Sequence, residues 1–320
     1  MLHRDAAEAI PTWRFRFEDE AWQPVIVPHS WNASDAVRLG DGWYRRGTGF
    51  YTTELATLGG RRTFVHFGAA SQRAVVRWNG RKIAQHVGGY LPFTVELPPN
   101  ETGVLCVEVD NRPDPDLIPS ERSDFFLYGG LTRPVSRYAT GPLRIEQIQV
   151  DPQVQDDQGL LALRLHVDGT ASDPAARYEV HIELPDGTPF FTTTGTLTAA
   201  EMHITVPPLA DPPRWSPDEP QLCRVHVTLW HDGRPSDRSS LRFGWRTVDF
   251  PEGGPFFLNG ERLLLRGTHR HEDWAGSASA VQEADTRAEF LRIKEAGFNF
   301  VRLGHYPQAA HVLDLCDELG

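Results

Sequence analysis

Short runs of alternating apolar and polar residues, each bounded by turn residues, dominate the sequence up to about residue 248. Residues 12–17 place three aromatic side chains on one side, and residues 74–78 lead into Asn79-Gly80. Asn-Gly supplies the positive φ angles that a two-residue hairpin turn requires. Period-two alternation over segments of this length predicts β-strands rather than helices. We therefore predict an all-β sandwich or jelly roll for residues 1–144.

A second all-β domain is predicted for residues 145–248. Residues 161–167 and 178–184 alternate, and Pro185-Asp186-Gly187 then provides a turn. About 100 residues of short strands at this spacing are typical of an immunoglobulin-like sandwich. The disulfide that marks antibody domains is not expected, so the prediction concerns the architecture only.

The pattern changes at about residue 249. Residues 262–267 form a short apolar run of the kind buried in a parallel sheet, and residues 285–296 have a helical period that Gly297 is placed to end. Residues 298–303 predict a second strand, and residues 309–319 carry one apolar helical face. The order β-α-β-α over residues 249–320 resembles the start of a barrel, of which a complete (β/α)₈ example takes about 250 residues. Two such units would leave sheet faces and an edge uncovered.

Charge and composition limit the classes of partner. The formal net charge of −11 disfavours binding to phosphate backbones, so we expect no nucleic acid partner. No apolar run approaches the roughly 20 residues of a membrane span, and the N-terminal residues lack the apolar stretch of a secretion signal. We therefore expect no membrane partner and a cytoplasmic location. The three cysteines are widely spaced and odd in number, so neither a disulfide framework nor a cysteine metal site is predicted, and no cofactor is expected.

Two polar clusters lie where the strands of the last segment end. Residues 267–274 follow the first predicted strand, and residues 302–307 end the second. Because the active sites of parallel α/β proteins lie at the carboxyl ends of their strands, these clusters are candidates for a functional site. One candidate is a metal site, since His269 and His271 would share a face of an extended strand and Glu272 adjoins them. The sequence shows no further ligand to complete it, so a metal-dependent barrel hydrolase is kept as an alternative.

The motifs of these clusters resemble those of glycoside hydrolase family 2. The resemblance continues through nearly the whole chain in the family's order. Thr268-His269 stands where the family more commonly has Val-Asn, and Leu303-Gly304 also departs from the usual pattern. The resemblance is carried by seven segments, namely Val27-Pro28-His29-Ser30-Trp31-Asn32, residues 128–135, Trp215-Ser216-Pro217-Asp218-Glu219-Pro220, Phe243-Gly244-Trp245-Arg246, residues 257–273, residues 299–307 and residues 315–320.

The resemblance implies a fold and an activity. The fold would be multidomain and mainly β, with a jelly roll, an immunoglobulin-like sandwich and the first two βα units of a (β/α)₈ TIM barrel. The activity would be hydrolysis of terminal β-galactosides or β-glucuronides with retention, using two glutamates. In the family these glutamates end barrel strands four and seven, so we expect both beyond Gly320 and no catalytic residue within residues 1–320.

The resemblance also implies roles for residues of this chain. Arg302 matches an arginine that hydrogen-bonds the nucleophilic carboxylate, and His271 and His305 match histidines that line the sugar subsite. Asp124 matches an acidic residue that reaches the mouth of the site, and Glu272 at a strand end could touch substrate. The implied partner is a carbohydrate, with a homo-oligomer possible for the intact protein. The alternative function, which belongs to a different functional class, is that of a non-catalytic carbohydrate-binding module.

Overall fold

The first domain is a two-layer β-sandwich. A computed structural model of the chain describes residue 4 and residues 7–35, 44–99, 101–120, 122–169 and 173–320. One sheet of this domain has the strand order β3-β2-β4-β9-β6-β7 and the other the order β1-β10-β5-β8, with antiparallel neighbours. The strands are β1 (Glu8–Ala9), β2 (Thr12–Phe17), β3 (Gln23–Ile26), β4 (Thr48–Ala56), β5 (Arg62–Phe67), β6 (Arg73–Trp78), β7 (Arg81–Val87), β8 (Phe93–Glu96), β9 (Thr102–Asp110) and β10 (Val135–Thr140).

The local patterns explain these strands. In β2 the alternating side chains of Trp13, Phe15 and Phe17 are buried between the sheets, as the alternation predicts. Asn79 and Gly80 have φ angles of 49° and 80° and join β6 to β7, which confirms the predicted hairpin. The fold is thus set by apolar faces that only a second sheet can cover.

A partly buried histidine is expected to make the stability of the jelly roll depend on pH. The His29 ring lies 2.8 Å from the Tyr51 hydroxyl, and burial, with the charge of Arg45, lowers the pKa of His29 to about 4. Because the unfolded chain binds this proton near pH 6.5, the contribution of His29 to stability is complete above that pH. It is lost as the pH falls toward 4, by at most about 3–4 kcal/mol.

We therefore expect His29→Gln to flatten the decline in unfolding free energy between pH 6.5 and pH 4. Chemical denaturation at a series of pH values measures this slope. His203→Gln changes an exposed histidine of the second domain and serves as the control. An unchanged slope in His29→Gln would contradict the assignment.

The second domain is also a β-sandwich. Its sheets have the orders β11-β12-β15, with β16 beside β12, and β14-β13-β17-β18. Its core includes Leu163, Leu165, Ile182, Val225 and Trp245. The strands are β11 (Arg144–Gln155), β12 (Gln158–Asp168), β13 (Ala176–Glu183), β14 (Pro189–Thr196), β15 (Glu201–Thr205), β16 (Leu209–Ala210), β17 (Cys223–His231) and β18 (Arg234–Phe243). The mainly β architecture with two sandwiches agrees with the prediction.

The last segment contains the only described α-helices and one parallel strand pair. β22 and β23 pair in parallel, and both helices pack beside them through Phe290, Val312 and Leu315. None of the helices among the described residues is long and apolar enough to cross a bilayer. The elements are β19 (Val248–Asp249), β20 (Phe257–Leu258), β21 (Glu261–Arg262), β22 (Gly267–Arg270), α1 (Glu283–Glu295), β23 (Phe300–Leu303) and α2 (Ala310–Leu319).

The structure corrects the position of the first parallel strand. The strand is residues 267–270 rather than the apolar run 262–267, and Leu264 within that run is 68% exposed. The side chain of Asn299 holds this run, because its Oδ1 accepts from the Arg266 amide and its Nδ2 donates to the Leu264 carbonyl. Phe300 of β23 is 45% exposed, in keeping with the expected uncovered sheet. The predicted helix 285–296 is confirmed as α1, and Gly297 follows it with a φ of 81°.

Candidate active site

The carboxyl ends of β22 and β23 bring the two predicted polar clusters together. In the parallel register His269 lies opposite Arg302, and the Gly304 amide donates to the Arg270 carbonyl at 3.1 Å. His271 follows β22 and His305 follows β23, so both leave the same edge of the pair. The placement expected for a site in a parallel α/β fold is therefore present.

Three histidines, His269, His271 and His305, form what we call the histidine cluster. Their ring centroids are separated by 5.0 Å (269–271), 5.2 Å (269–305) and 5.2 Å (271–305). The guanidinium of Arg302 donates to Nε2 of His269 at 2.9 Å and to Nδ1 of His305 at 3.2 Å. Sequence analysis grouped His271 with His305 through the family resemblance but did not place His269 beside His305, because the parallel pairing makes those two neighbours.

The electrostatic setting of the cluster favours neutral imidazole at His271. Burial and the neighbouring rings of His269 and His305 lower the pKa of His271, while Asp273 and Asp124 act in the opposite direction. Arg302 adds a positive charge beside the other two rings. Neutral imidazole can both donate and accept a hydrogen bond, which suits recognition of hydroxyl groups.

A loop of the jelly roll covers the cluster from one side. The Phe125 ring lies 5.4 Å from the His271 ring and 6.0 Å from the His305 ring. Asp124 is exposed beside it, close enough to act on the pKa of His271. The loop also lines a cleft of about 340 Å³, together with Tyr44 and Arg46. The structure thus brings the Asp124 loop next to the cluster, although sequence reasoning gave Phe125 no role of its own.

Glu272 occupies a different environment from the one expected. Its side chain is buried, and Oε2 accepts from Nη2 of Arg133 of the jelly roll at 2.8 Å while Oε1 accepts from the Ala309 amide at 2.5 Å. Its amide donates to the Tyr306 hydroxyl at 3.0 Å. Because both carboxylate oxygens are engaged inside the protein, the structure does not support the expectation that Glu272 touches substrate. Glu272 instead joins the jelly roll to residues 249–320, which we call the barrel segment.

Other buried contacts fix the strand ends. Arg133 also donates to the carbonyls of Tyr90 and Pro307, and the rings of Tyr90 and Tyr306 stack 3.9 Å apart. Asp273, which follows Glu272 in the chain, accepts from the Tyr128 hydroxyl at 3.0 Å through both carboxylate oxygens. Sequence reasoning gave no role to Arg133 or Tyr128, although both lie in the segment 128–135 that it singled out. Their roles depend on contacts across about 140 residues of chain, which no local pattern encodes.

Arg270 connects the strand pair to α1 and to the segment that precedes α2. Its Nε donates to Glu289 of α1 at 2.8 Å, and Nη1 donates to Gln308 Oε1 at 2.6 Å. Gln308 in turn donates to the Gly304 carbonyl at 3.3 Å, next to His305. Arg270 is therefore a buried positioning group beneath the cluster rather than part of its exposed surface.

Family models match two parts of the chain. The model described as glycosyl hydrolases family 2 matches residues 143–246, and that described as glycosyl hydrolases family 2, TIM barrel domain, matches residues 251–320. The chain belongs to glycoside hydrolase family 2. The matches follow the order of the second sandwich and the βα segment, so the family architecture is shared from residue 143 onward.

Similar proteins carry glycosidase names. The apo structure of Bacteroides uniformis beta-glucuronidase 3 superposes with a TM-score of 0.91 at 34% identity, over 99% of this chain and 45% of that one. Bacteroides uniformis beta-glucuronidase 2, solved covalently bound to cyclophellitol-6-carboxylate aziridine, gives 0.88 at 29%, over 100% and 42%. A Thermoanaerobacter pseudethanolicus beta-galactosidase is 28% identical over 96% of this chain and 43% of its own length. The family 2 chain described here thus spans less than half the length of each of these relatives.

Proposed function

We propose that this chain supplies the sugar-binding and nucleophile-orienting side of a retaining β-glycosidase site. The observation that carries the proposal is the convergence of Arg302, His271 and His305 at the carboxyl ends of two parallel strands. The family membership and the glycosidase names of the relatives support the same reaction class. The substrate class is a terminal β-glucuronide or β-galactoside.

The proposed reaction is a double displacement. One carboxylate attacks the anomeric carbon while a carboxylic acid protonates the leaving oxygen, and water then releases the sugar from the glycosyl-enzyme. From the resemblance we expect both carboxyl groups on later barrel strands, outside residues 1–320. Arg302 would donate to the nucleophilic carboxylate and favour its ionised form. Its exposed guanidinium at the strand end suits that role.

His271 and His305 would bind hydroxyl groups of the sugar that is cleaved. Hydrogen bonds that strengthen as positive charge develops on the ring would lower the barrier rather than only bind the ground state. Asp124, on the jelly-roll loop, would contact the same sugar. Of the two substrate classes we favour β-glucuronides, because residues 271–273 and 124–126 resemble the glucuronidase branch and two of the three relatives described above are beta-glucuronidases.

The proposal is tested with the protein expressed from its natural gene. We expect hydrolysis of an aryl β-glucuronide that exceeds hydrolysis of the matching aryl β-galactoside. Proton NMR of the first-formed sugar should show the β-anomer. Release of the α-anomer would contradict the double displacement, and a preference for the galactoside would contradict the substrate preference. Saturable sugar binding without any turnover would favour the carbohydrate-binding module.

Residues 1–320 expressed alone are expected to show no turnover of either aryl glycoside. Among the residues that the structure describes, the carboxylates next to the histidine cluster are those of Asp124, Glu272 and Asp273, and Glu272 is already paired inside the protein. A retaining site needs two carboxyl groups about 5–5.5 Å apart and free to act on the sugar. Fluorescence release from 4-methylumbelliferyl glycosides measures this. Turnover by a homogeneous preparation would refute the placement of both glutamates outside these residues.

A further inference from the structure

We propose that the histidine cluster is also a binding site for a divalent transition metal, Zn²⁺ being the probe of choice. Each of His269, His271 and His305 offers a ring nitrogen, and these three atoms all lie within 4.8 Å of one another. No other group of three candidate ligands that close together occurs among the residues that the structure describes. The inference concerns metal binding and does not depend on the proposed glycosidase reaction.

The geometry is close to that of a three-histidine site. Zinc bound to imidazole has Zn–N distances of about 2.0–2.1 Å and a tetrahedral arrangement, which leaves a fourth position for water. Ligand nitrogens in that arrangement are about 3.4 Å apart. Side-chain rotations that move the ring nitrogens by about 1 Å therefore complete the site. The side chains of His269 and His305 are exposed and can rotate. The backbone of His269 is held by the β22–β23 pairing, and His305 follows Gly304, whose amide donates to the Arg270 carbonyl. The strands therefore bring the ligands together before any metal arrives.

Arg302 opposes the metal. Its guanidinium donates to ring nitrogens of His269 and His305, so it occupies lone pairs that a metal needs and adds a positive charge. The side chain is exposed and can turn toward solvent. Negative charge from Asp124 and Asp273 acts on His271 and offsets part of this repulsion. We infer a site of moderate affinity whose strength Arg302 limits.

The arrangement predicts that one substitution weakens Zn²⁺ binding and another tightens it, a pair of effects that a generic surface site would not show. His269→Asn keeps a polar side chain of similar size but removes one ligand, and Arg302→Met removes the competing cation. The matched control is His226→Asn, because His226 and His181 both contact the Glu183 carboxylate in the second domain and so offer a second group of candidate metal ligands. Titration with Zn²⁺ against a chromophoric chelator, with circular dichroism to verify folding, measures stoichiometry and affinity.

The expected result is one Zn²⁺ per chain. His269→Asn and His305→Asn should each weaken binding at least about tenfold, the scale on which even changes next to metal ligands act. His226→Asn should leave the affinity unchanged, and Arg302→Met should tighten it. Absence of stoichiometric Zn²⁺, or equal affinity in His269→Asn, would overturn the proposal. Loss of binding in His226→Asn would overturn it in favour of the second-domain pair. Because activity is not the readout, failure of the glycosidase proposal would leave this result unaffected.

Discussion

Replacement of Glu272 by alanine is expected to destabilise the junction between the jelly roll and the barrel segment by about 3–5 kcal/mol. The side chains of Glu272 and Arg133 are 6% and 7% exposed, and the variant would leave the Arg133 guanidinium buried without its carboxylate. The Ala309 amide at the start of α2 would also lose its acceptor. Hydrogen exchange of amides in β22, β23 and α2 measures the local unfolding free energy.

Two further variants give this prediction its controls. Glu8→Gln removes an exposed partner of Arg137 and should cost less than about 1 kcal/mol. Arg133→Met combined with Glu272→Met should recover much of the loss, because a well-packed apolar pair leaves no unpaired charge. A loss below 1 kcal/mol in Glu272→Ala would contradict the view that this ion pair holds the two domains together.

Replacement of Arg302 by methionine is expected to lower kcat/KM for an aryl β-glycoside by about 10²–10³-fold, the scale on which one stabilising donor acts in an active site. The prediction rests on the proposed role of Arg302 beside the nucleophilic carboxylate. Loss of the adjacent positive charge raises the pKa of that carboxylate, so the acid limb of the pH profile should move to higher pH. The kcat/KM profile of the protein expressed from its natural gene measures both effects.

The pH profile separates this role from a merely structural one. Arg302→Lys should recover part of the rate and return the acid limb toward its original position, because it restores charge without the paired donors of guanidinium. Arg81→Met, at an exposed position of β7, should leave rate and profile unchanged. A reduced rate with an unshifted acid limb in Arg302→Met would argue against contact with the nucleophile.

The elements that sequence patterns identified well are those whose determinants are local. The hairpin at Asn79-Gly80 needs positive φ angles that these two residues adopt readily, and the alternation in β2 follows from one buried face. Helix α1 has a helical period and a glycine at its end. In each case neighbouring residues contain enough information, because the backbone conformation and the apolar face arise within one segment.

The first parallel strand was misplaced because an apolar run does not fix a pairing register. Residues 262–267 look like a buried strand, yet the ladder with β23 begins at Gly267. The preceding backbone is satisfied by the Asn299 side chain, which lies more than 30 residues away. Hydrogen-bond partners rather than hydrophobicity decide where a strand starts, and those partners are known only after the chain has folded.

The features of the candidate site also divide into those that the sequence predicts and those that only the folded chain explains. The sequence by itself determined that His271, Arg302 and His305 lie at strand ends, since the order of strands and helices places them there. Only the tertiary structure decided that His305 completes a cluster with His269, and that Glu272 pairs with Arg133 rather than facing a sugar. The reason is physical. A buried carboxylate is stable only next to a donor that compensates its lost hydration, and this donor comes from another domain, 139 residues earlier in the chain.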